Sequence, residues 1–136
     1  MTTINDVKIL SFPAYVENDG ALIPLECGKE IPFNVMRTFY VFDVPEGETR
    51  GFHAHKESEQ VLVCLKGSCE IILRDGENVM TVHLDDPSRG VHVPIMIWNE
   101  IVYHSNDTLF LALASKNYDP DEYVSDWNKF VKAKYE

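Results

Sequence analysis

Two histidines stand one residue apart in the segment GFHAHKESEQ, residues 51–60. Alternate side chains of an extended chain point to the same face, so His53 and His55 share one side of a strand. Imidazole changes protonation near neutral pH, can accept and release a proton, and is the most common metal ligand among side chains. The pair therefore indicates proton transfer or metal binding. The alternative is that both are ordinary polar residues at the end of a strand and have no function.

The residues around the pair favour a functional site. The histidines and Gln60 resemble in spacing the first motif of the cupin superfamily, and PIMIWN, residues 94–99, resembles the end of its second motif. In a metal-dependent cupin these positions supply two histidines, a glutamate and a final histidine to the ion. Here the last two are Gln60 and Asn99, and neutral amides are poor ligands for a first-row transition metal. We therefore expect no metal.

Acid/base chemistry is then the natural use of the histidine pair. Tyr40 lies on a neighbouring predicted strand and could add a phenolic hydroxyl, but a core aromatic with its hydroxyl at the rim explains this residue equally well. Arg37, Arg50 and Lys56 are the basic residues from which a pocket for a small anionic ligand could be built. Each of the three could equally be a solvated strand residue.

A β-sheet must position these side chains. Segments rich in β-branched and aromatic residues alternate with turn signals, and almost no helical period lies between them, which indicates an all-β sandwich or small barrel. In MRTFYVFD, residues 36–43, the even-numbered side chains point one way and the odd-numbered ones the other. The predicted strands cover residues 21–26, 36–44, 60–67, 68–76, 79–86, 89–94 and 108–115.

The C-terminal stretch follows a different period. Tyr123, Trp127, Phe130 and Val131 fall at i, i+4, i+7 and i+8. This spacing predicts an amphipathic helix over about 120–134. We expect the helix to cap one end of the barrel or to contact a second subunit.

Size and charge narrow the classes of protein further. The 136 residues predict one domain, residues 1–136, and the net charge of −10 argues against nucleic acid or an anionic membrane as partner. No apolar run approaches the roughly 20 residues of a membrane helix, and no signal-peptide pattern is present. The odd number of cysteines, Cys27, Cys64 and Cys69, indicates reduced thiols in a cytoplasmic protein.

Six longer segments carry a more specific resemblance: IPFNVMRTFYVFDV (31–44), RGFHAHK (50–56), QVLVCLKGSCEIILRDG (60–76), LDDPSRG (84–90), PIMIWNE (94–100) and LALASKNYDPDEY (111–123). They are similar to segments of the cupin-fold sugar 3,4-ketoisomerases, which move the ketone of a dTDP-linked 4-keto-6-deoxyhexose from C4 to C3. The resemblance implies a cupin (jelly-roll) β-barrel with a short C-terminal α-helix. It also implies a homodimer with exchanged N-terminal strands and no metal or redox cofactor.

The same resemblance implies roles for the residues of the predicted site. His53 would carry a proton between C3 and C4, His55 would hydrogen-bond the sugar oxygens and move a proton between them, and Tyr40 would polarise or position the ring. The three basic residues named above would contact the pyrophosphate. His104, in the unusual segment IVYH, is either an added site residue or a satisfied histidine at the rim.

Two positions depart from the family pattern. Family members often carry arginine where this chain has Asp19, and histidine or arginine where it has Asn99. By resemblance both positions line the sugar and bear on which face of C4 receives the proton, so a galacto and a gluco product stay open. Trp98 and Glu100, on either side of Asn99, complete the predicted substrate contacts together with Gln60.

Three alternatives to the isomerase stay open. A cupin-fold nucleotide-sugar epimerase also pairs a histidine base with a tyrosine acid, but it would leave the ketone at C4. A non-catalytic nucleotide-sugar-binding module would bind without carbon–hydrogen exchange. A metal-dependent oxygenase would require stoichiometric iron or manganese. The sequence favours the isomerase, supplying a keto sugar for a surface polysaccharide.

Overall fold

The chain folds into two antiparallel sheets and a short C-terminal helix in a computed structural model that describes residues 1–135. This arrangement confirms the predicted all-β class. The strands are β1 (Lys8–Ser11), β2 (Tyr15–Glu17), β3 (Gly20–Leu22), β4 (Arg37–Val41), β5 (Thr49–His55), β6 (Gln60–Lys66), β7 (Cys69–Arg74), β8 (Val79–Leu84), β9 (Arg89–Val93), β10 (Trp98–Tyr103), β11 (Leu109–Ala114) and β12 (Tyr123–Val124), and the helix is α1 (Trp127–Tyr135).

The two sheets face each other across the main core. One has the strand order β1-β9-β6-β11-β4 and the other β12-β5-β10-β7-β8, while β2 and β3 form a separate hairpin. Alternation along each strand sends apolar side chains inward, so Leu62 and Ala112 of the first sheet meet Ile71 and Tyr103 of the second. The removal of this apolar surface from water is the main driving force for closing the sandwich.

The N-terminal segment covers the outer face of the first sheet. Ile31 is fully buried against Val61 and Val63, whose side chains point away from the main core. The strand predicted over residues 21–26 is wrong beyond Leu22, because Pro24 lacks a backbone N–H and the chain there packs as an irregular cover.

The C-terminal helix begins later than the sequence predicts. Asp119 caps a 3₁₀ turn over Pro120–Glu122, the short strand β12 follows, and the α-helix starts only at Trp127. Tyr123 is therefore a strand residue, paired with His55 of β5, rather than part of the helix's apolar face. Within residues 1–135, no helix is long and apolar enough to span a membrane.

Candidate active site

The histidine pair lies on β5, the strand that pairs with both β10 and β12. His53 is opposite Asn99, and His55 is opposite Tyr123. Ala54, between them, packs outward under the helix, so both imidazoles face the interior of the sandwich. The predicted shared face of the two histidines is present in the structure.

A bulge just before the pair sets its position. The register with β10 shifts between Asn99 and Glu100, and Gly51 and Phe52 both take a positive φ, of 100° and 61°. A Cβ on Gly51 would lie 2.9 Å from the carbonyl oxygen of Asn99, so only glycine allows this close approach. Because of the bulge, Arg50 and His53 line the same cavity although they are three residues apart.

Three aromatic rings meet at the site. The centroids of His53 and His55 are 5.1 Å apart with the rings nearly perpendicular. The ring of Tyr123 lies 5.1 Å from His53 and 4.4 Å from His55. Its hydroxyl accepts a hydrogen bond of 2.9 Å from Nη1 of Arg37, a guanidinium that also stacks over Phe39.

A buried carboxylate holds His55. Nδ1 of His55 donates a hydrogen bond of 2.6 Å to Oε1 of Glu122, and only 7% of Glu122 is exposed. The other carboxylate oxygen, Oε2, accepts from the backbone amides of Glu57 and Ser58. Burial alone would raise the pKa of Glu122, but the hydrogen bonds from His55 and these amides outweigh it and lower that pKa.

Both imidazoles are held neutral. Burial, reinforced by the neighbouring His55, lowers the pKa of His53 from 6.5 to about 4. Burial also lowers the pKa of His55, although Glu122 opposes the shift. Nδ1 of His53 lies 3.2 Å from the carbonyl oxygen of Gly51, which can only accept, so Nδ1 carries the proton and Nε2 keeps a free lone pair.

Two buried polar atoms at the site have no partner in the protein. Among residues 1–135, the buried side-chain nitrogens and oxygens without a hydrogen bond are Nε2 of His55 and Nδ2 of Asn99. Such atoms are rare because each costs about 1–3 kcal/mol. Nε2 of His55 carries a lone pair and Nδ2 of Asn99 is a donor, so together they suit a ligand that carries hydroxyl and carbonyl groups.

A cavity of about 100 Å³ lies beside His53 and is lined by both polar and apolar side chains. The predicted residues Arg50, His53, Gln60 and Asn99 all contribute to it. The remaining lining residues are Phe39, Val41, Gly51, Leu62, Ile101, Tyr103 and Phe110.

Three predicted site residues lie elsewhere. Tyr40 is 64% exposed and points to the outside of β4, because it alternates with the inward-facing Phe39. Trp98 packs against Trp127 on the outer face of β10, and its Nε1 donates to Glu100, which also accepts from Arg74. Tyr40, Trp98 and Glu100 therefore do not line the cavity beside His53, and their contact with the sugar stays a prediction.

The other predicted residues lie at the periphery. Nζ of Lys56 donates to the carbonyl oxygen of Asp121 at the surface. Asp19 lies in the turn between β2 and β3, whose residues are all exposed. His104 lies 3.4 Å from a carboxylate oxygen of Glu70, which supports the rim alternative for this histidine.

Glu122 and Tyr123 are the site residues that the sequence analysis missed. Tyr123 fits the spacing of a helix, whereas in the structure it pairs with His55 through β12, and Glu122 ends the 3₁₀ turn just before that strand. The segment DPDEY after β11 contains a signal for the start of this turn only: Asp119 caps it and Pro120 is its first residue.

The donor set at the cupin ligand positions does not suit a transition metal. Gln60 and Asn99 present neutral amides there, in place of the carboxylate and imidazole that such a metal prefers. Among residues 1–135, no group of three or more histidine, cysteine, aspartate or glutamate side chains is arranged to hold a metal ion.

Fold and site together define a cupin-like β-sandwich with two neutral histidines facing its interior. The sequence matches the family model described as "FdtA: WxcM-like, C-terminal" over residues 5–135, so the chain belongs to this family. It is 42% identical over 125 residues, 92% of its length and 90% of the relative's, to the TDP-4-oxo-6-deoxy-alpha-D-glucose-3,4-oxoisomerase of Aneurinibacillus thermoaerophilus.

Solved structures confirm the cupin-like fold. A 3,4-ketoisomerase from Helicobacter canadensis superposes with a TM-score of 0.94 at 42% identity, covering 96% of this chain and 98% of that one. A mutant of the 3,4-ketoisomerase QdtA from Thermoanaerobacterium thermosaccharolyticum, in complex with TDP-4-keto-6-deoxyglucose, gives 0.92 at 31% identity, covering 95% and 94%.

Proposed function

We propose that the chain is a sugar 3,4-ketoisomerase that converts a TDP-linked 4-keto-6-deoxyhexose to its 3-keto isomer. The observation that carries this proposal is the pair of neutral histidines facing inward, with the unpartnered lone pair on Nε2 of His55. The identity of 42% to a TDP-4-oxo-6-deoxyglucose 3,4-oxoisomerase supports the substrate class and the reaction.

The reaction requires two proton transfers and no net oxidation. A base removes the hydrogen of C3, which is acidic because it is α to the C4 ketone, and this leaves an enediolate with the negative charge on O4. The O3 hydroxyl then gives its proton to a second base, which passes it to O4, while C4 gains the hydrogen removed from C3, so that a ketone remains at C3 and a hydroxyl at C4. A neutral imidazole can perform each transfer because it accepts at one step and donates at the next.

We assign the carbon-to-carbon transfer to His53 and the oxygen-to-oxygen transfer to His55. His53 lines the cavity and is kept neutral at physiological pH, as a base must be. His55 is next to it, with Nε2 free to accept a sugar hydroxyl. We further assign Tyr123, rather than Tyr40, as the phenol of the site, because its ring contacts both imidazoles.

We propose three further substrate contacts. Nδ2 of Asn99 would donate to a sugar oxygen, and Gln60 would contact the sugar from β6. Arg50, at the same cavity and next to the surface, would contact the pyrophosphate. Arg37 already donates to Tyr123, so its role would be to hold that phenol.

We also propose that the protein works as a homodimer with exchanged N-terminal strands. The hairpin β2–β3 is exposed throughout, with Tyr15, Val16 and Leu22 at 63%, 75% and 62% exposure. Apolar side chains at such exposure indicate a surface that a partner covers. In an exchanged dimer the hairpin would carry Asp19 to the site of the second subunit, which fits its predicted role at the sugar.

The setting of the reaction is part of the same proposal. A 3-keto sugar is the substrate that an aminotransferase needs to place an amino group at C3. We propose that the chain supplies such an enzyme in the cytoplasm, for a surface polysaccharide.

The test is incubation of the protein with TDP-4-keto-6-deoxyglucose in D2O, followed by NMR of the sugar. We expect deuterium at C3 or C4 and a 3-keto product that a transaminase can trap. The variant His53→Asn should bind TDP as the wild type does and lose the exchange. An absence of both exchange and trapped product in the wild type would overturn the isomerase assignment on this substrate.

The same spectra distinguish the two remaining alternatives. An epimerase would exchange protons beside C4 but leave the ketone there. A binding module would bind TDP and exchange nothing, with or without His53.

A further inference from the structure

We propose that Glu122 is a positioning residue that fixes His55 in the tautomer with its proton on Nδ1, so that Nε2 faces the substrate as a hydrogen-bond acceptor. This inference rests on the proposed isomerase function and adds a residue to it. The contact between Nδ1 and Oε1, 2.6 Å long and buried, is the observation that carries it.

The protonation of this pair follows from what each atom can do. A carboxylate only accepts, so the bond from His55 to Glu122 places the imidazole proton on Nδ1. The neutral ring then has its lone pair on Nε2, and that atom is buried without a partner in the described part of the chain. The unpartnered lone pair is the second observation: the atom that the dyad leaves free is a buried acceptor on the ring next to His53.

The orientation of Glu122 is itself fixed. Its Oε2 accepts from the amides of Glu57 at 3.1 Å and Ser58 at 3.2 Å. The carboxylate therefore cannot rotate away from His55 without giving up two backbone partners. Strand β12 holds the next residue, Tyr123, opposite His55, so the backbone keeps both side chains of the dyad in place.

The variant Glu122→Gln turns this geometry into a test. A glutamine has one acceptor and one donor group at its end. Its oxygen satisfies the two backbone amides, which leaves the NH₂ group facing His55. An NH₂ donates, so Nδ1 must become the acceptor and the proton must move to Nε2. The substitution therefore reverses the tautomer at nearly constant shape.

A second histidine–glutamate pair in the chain provides the control. Nε2 of His92 lies 2.8 Å from Oε1 of Glu59, on the outer face of the first sheet near Phe33 and away from the cavity. The variant Glu59→Gln makes the same chemical change at a pair that has no place in the proposed site. We expect it to leave His55 and the activity as in the wild type.

The measurement is long-range ¹H–¹⁵N NMR on protein labelled at histidine, because protonated and bare ring nitrogens resonate far apart. In the wild type we expect His55 to be protonated on Nδ1. In Glu122→Gln we expect protonation on Nε2, a kcat for isomerisation lower by about 100-fold, in the range of a lost acid/base group, and a KM that changes little. The signals of His53 should stay unchanged.

Three results would overturn the proposal: a wild-type His55 protonated on Nε2, a Glu122→Gln variant that keeps the wild-type tautomer, or a reversed tautomer with full kcat. The first of these results is measured on the wild type, so it can overturn the proposal even if the Glu122→Gln variant does not fold. A wild type without isomerase activity would instead contradict the proposed function, because the tautomer is measured without substrate.

Discussion

Arg37 and Tyr123 join the open edges of the two sheets directly over the histidine pair. Arg37 is on β4, the last strand of one sheet, and Tyr123 is on β12, the last strand of the other, and Nη1 of the arginine donates to the phenol across 2.9 Å. The guanidinium also lies 4.6 Å from the ring of Phe39 and 4.9 Å from that of Tyr118. Since the phenol oxygen accepts from the arginine, its own proton remains available to another acceptor.

Replacing Tyr123 with phenylalanine tests this phenol. We expect the ring contacts with both imidazoles to remain and kcat/KM for isomerisation to fall about tenfold or more, because a hydrogen bond of this kind is worth about 1.5 kcal/mol. The comparison variant is Tyr40→Phe, which removes a hydroxyl from the outer face of β4. Steady-state rates that fall for Tyr40→Phe and not for Tyr123→Phe would return the role to Tyr40.

The case of Tyr40 shows what the sequence could predict. The alternation in MRTFYVFD correctly separates Tyr40 from Arg37, and Arg37 is the residue whose side chain reaches the site. The same rule of alternation applied to WNE separates Trp98 and Glu100 from Asn99, which alone of the three lines the cavity. The sequence could therefore predict which side chains share a face of each strand. It could not predict which of the two faces lines the cavity, because that depends on where the second sheet packs.

Other features could not be predicted from local pattern. The bulge at Gly51 and Phe52 depends on the register with β10, a pairing between segments some 50 residues apart. The fit of Tyr123 to a helical period is a coincidence of spacing that the pairing of β12 with β5 overrides. Long-range pairing outweighs local propensity in both places.

Asn99 should show a trade between stability and activity. Its Nδ2 is buried without a partner, and replacing the side chain with leucine, which has the same branched skeleton and no polar atoms, removes that cost. We expect the free energy of unfolding of Asn99→Leu to rise by about 1 kcal/mol, while kcat/KM falls because the sugar loses a donor. Urea denaturation and steady-state kinetics measure the two effects. A variant that is less stable and fully active would contradict the assignment of this donor to the substrate.

Gly51 should be far less tolerant of a side chain than Gly47, although both have a positive φ. At Gly47, with φ of 92°, an added Cβ meets nothing within 4 Å, whereas at Gly51, with φ of 100°, it meets the Asn99 carbonyl oxygen at 2.9 Å. We expect Gly47→Ala to cost about 1–2 kcal/mol from backbone strain and Gly51→Ala about 1–3 kcal/mol more from overpacking. Only Gly51→Ala should also lower the isomerisation rate, because it displaces Asn99. Equal losses of stability in urea would show that the close approach to β10 is unimportant.

The depressed pKa of His53 predicts a loss of stability in acid. Above pH 6.5 neither the folded nor the unfolded chain protonates this residue, so its contribution is constant. As pH falls from 6.5 toward the folded pKa of about 4, the unfolded chain binds a proton that the folded chain rejects, and the free energy of unfolding decreases. By pH 5 the decrease from His53 should reach about 2 kcal/mol at most. The variant His53→Asn lacks this effect. Urea denaturation should therefore show that the free energy of unfolding falls more steeply between pH 7 and 5 for the wild type than for the variant. An equal fall in both proteins would mean that burial does not hold His53 neutral.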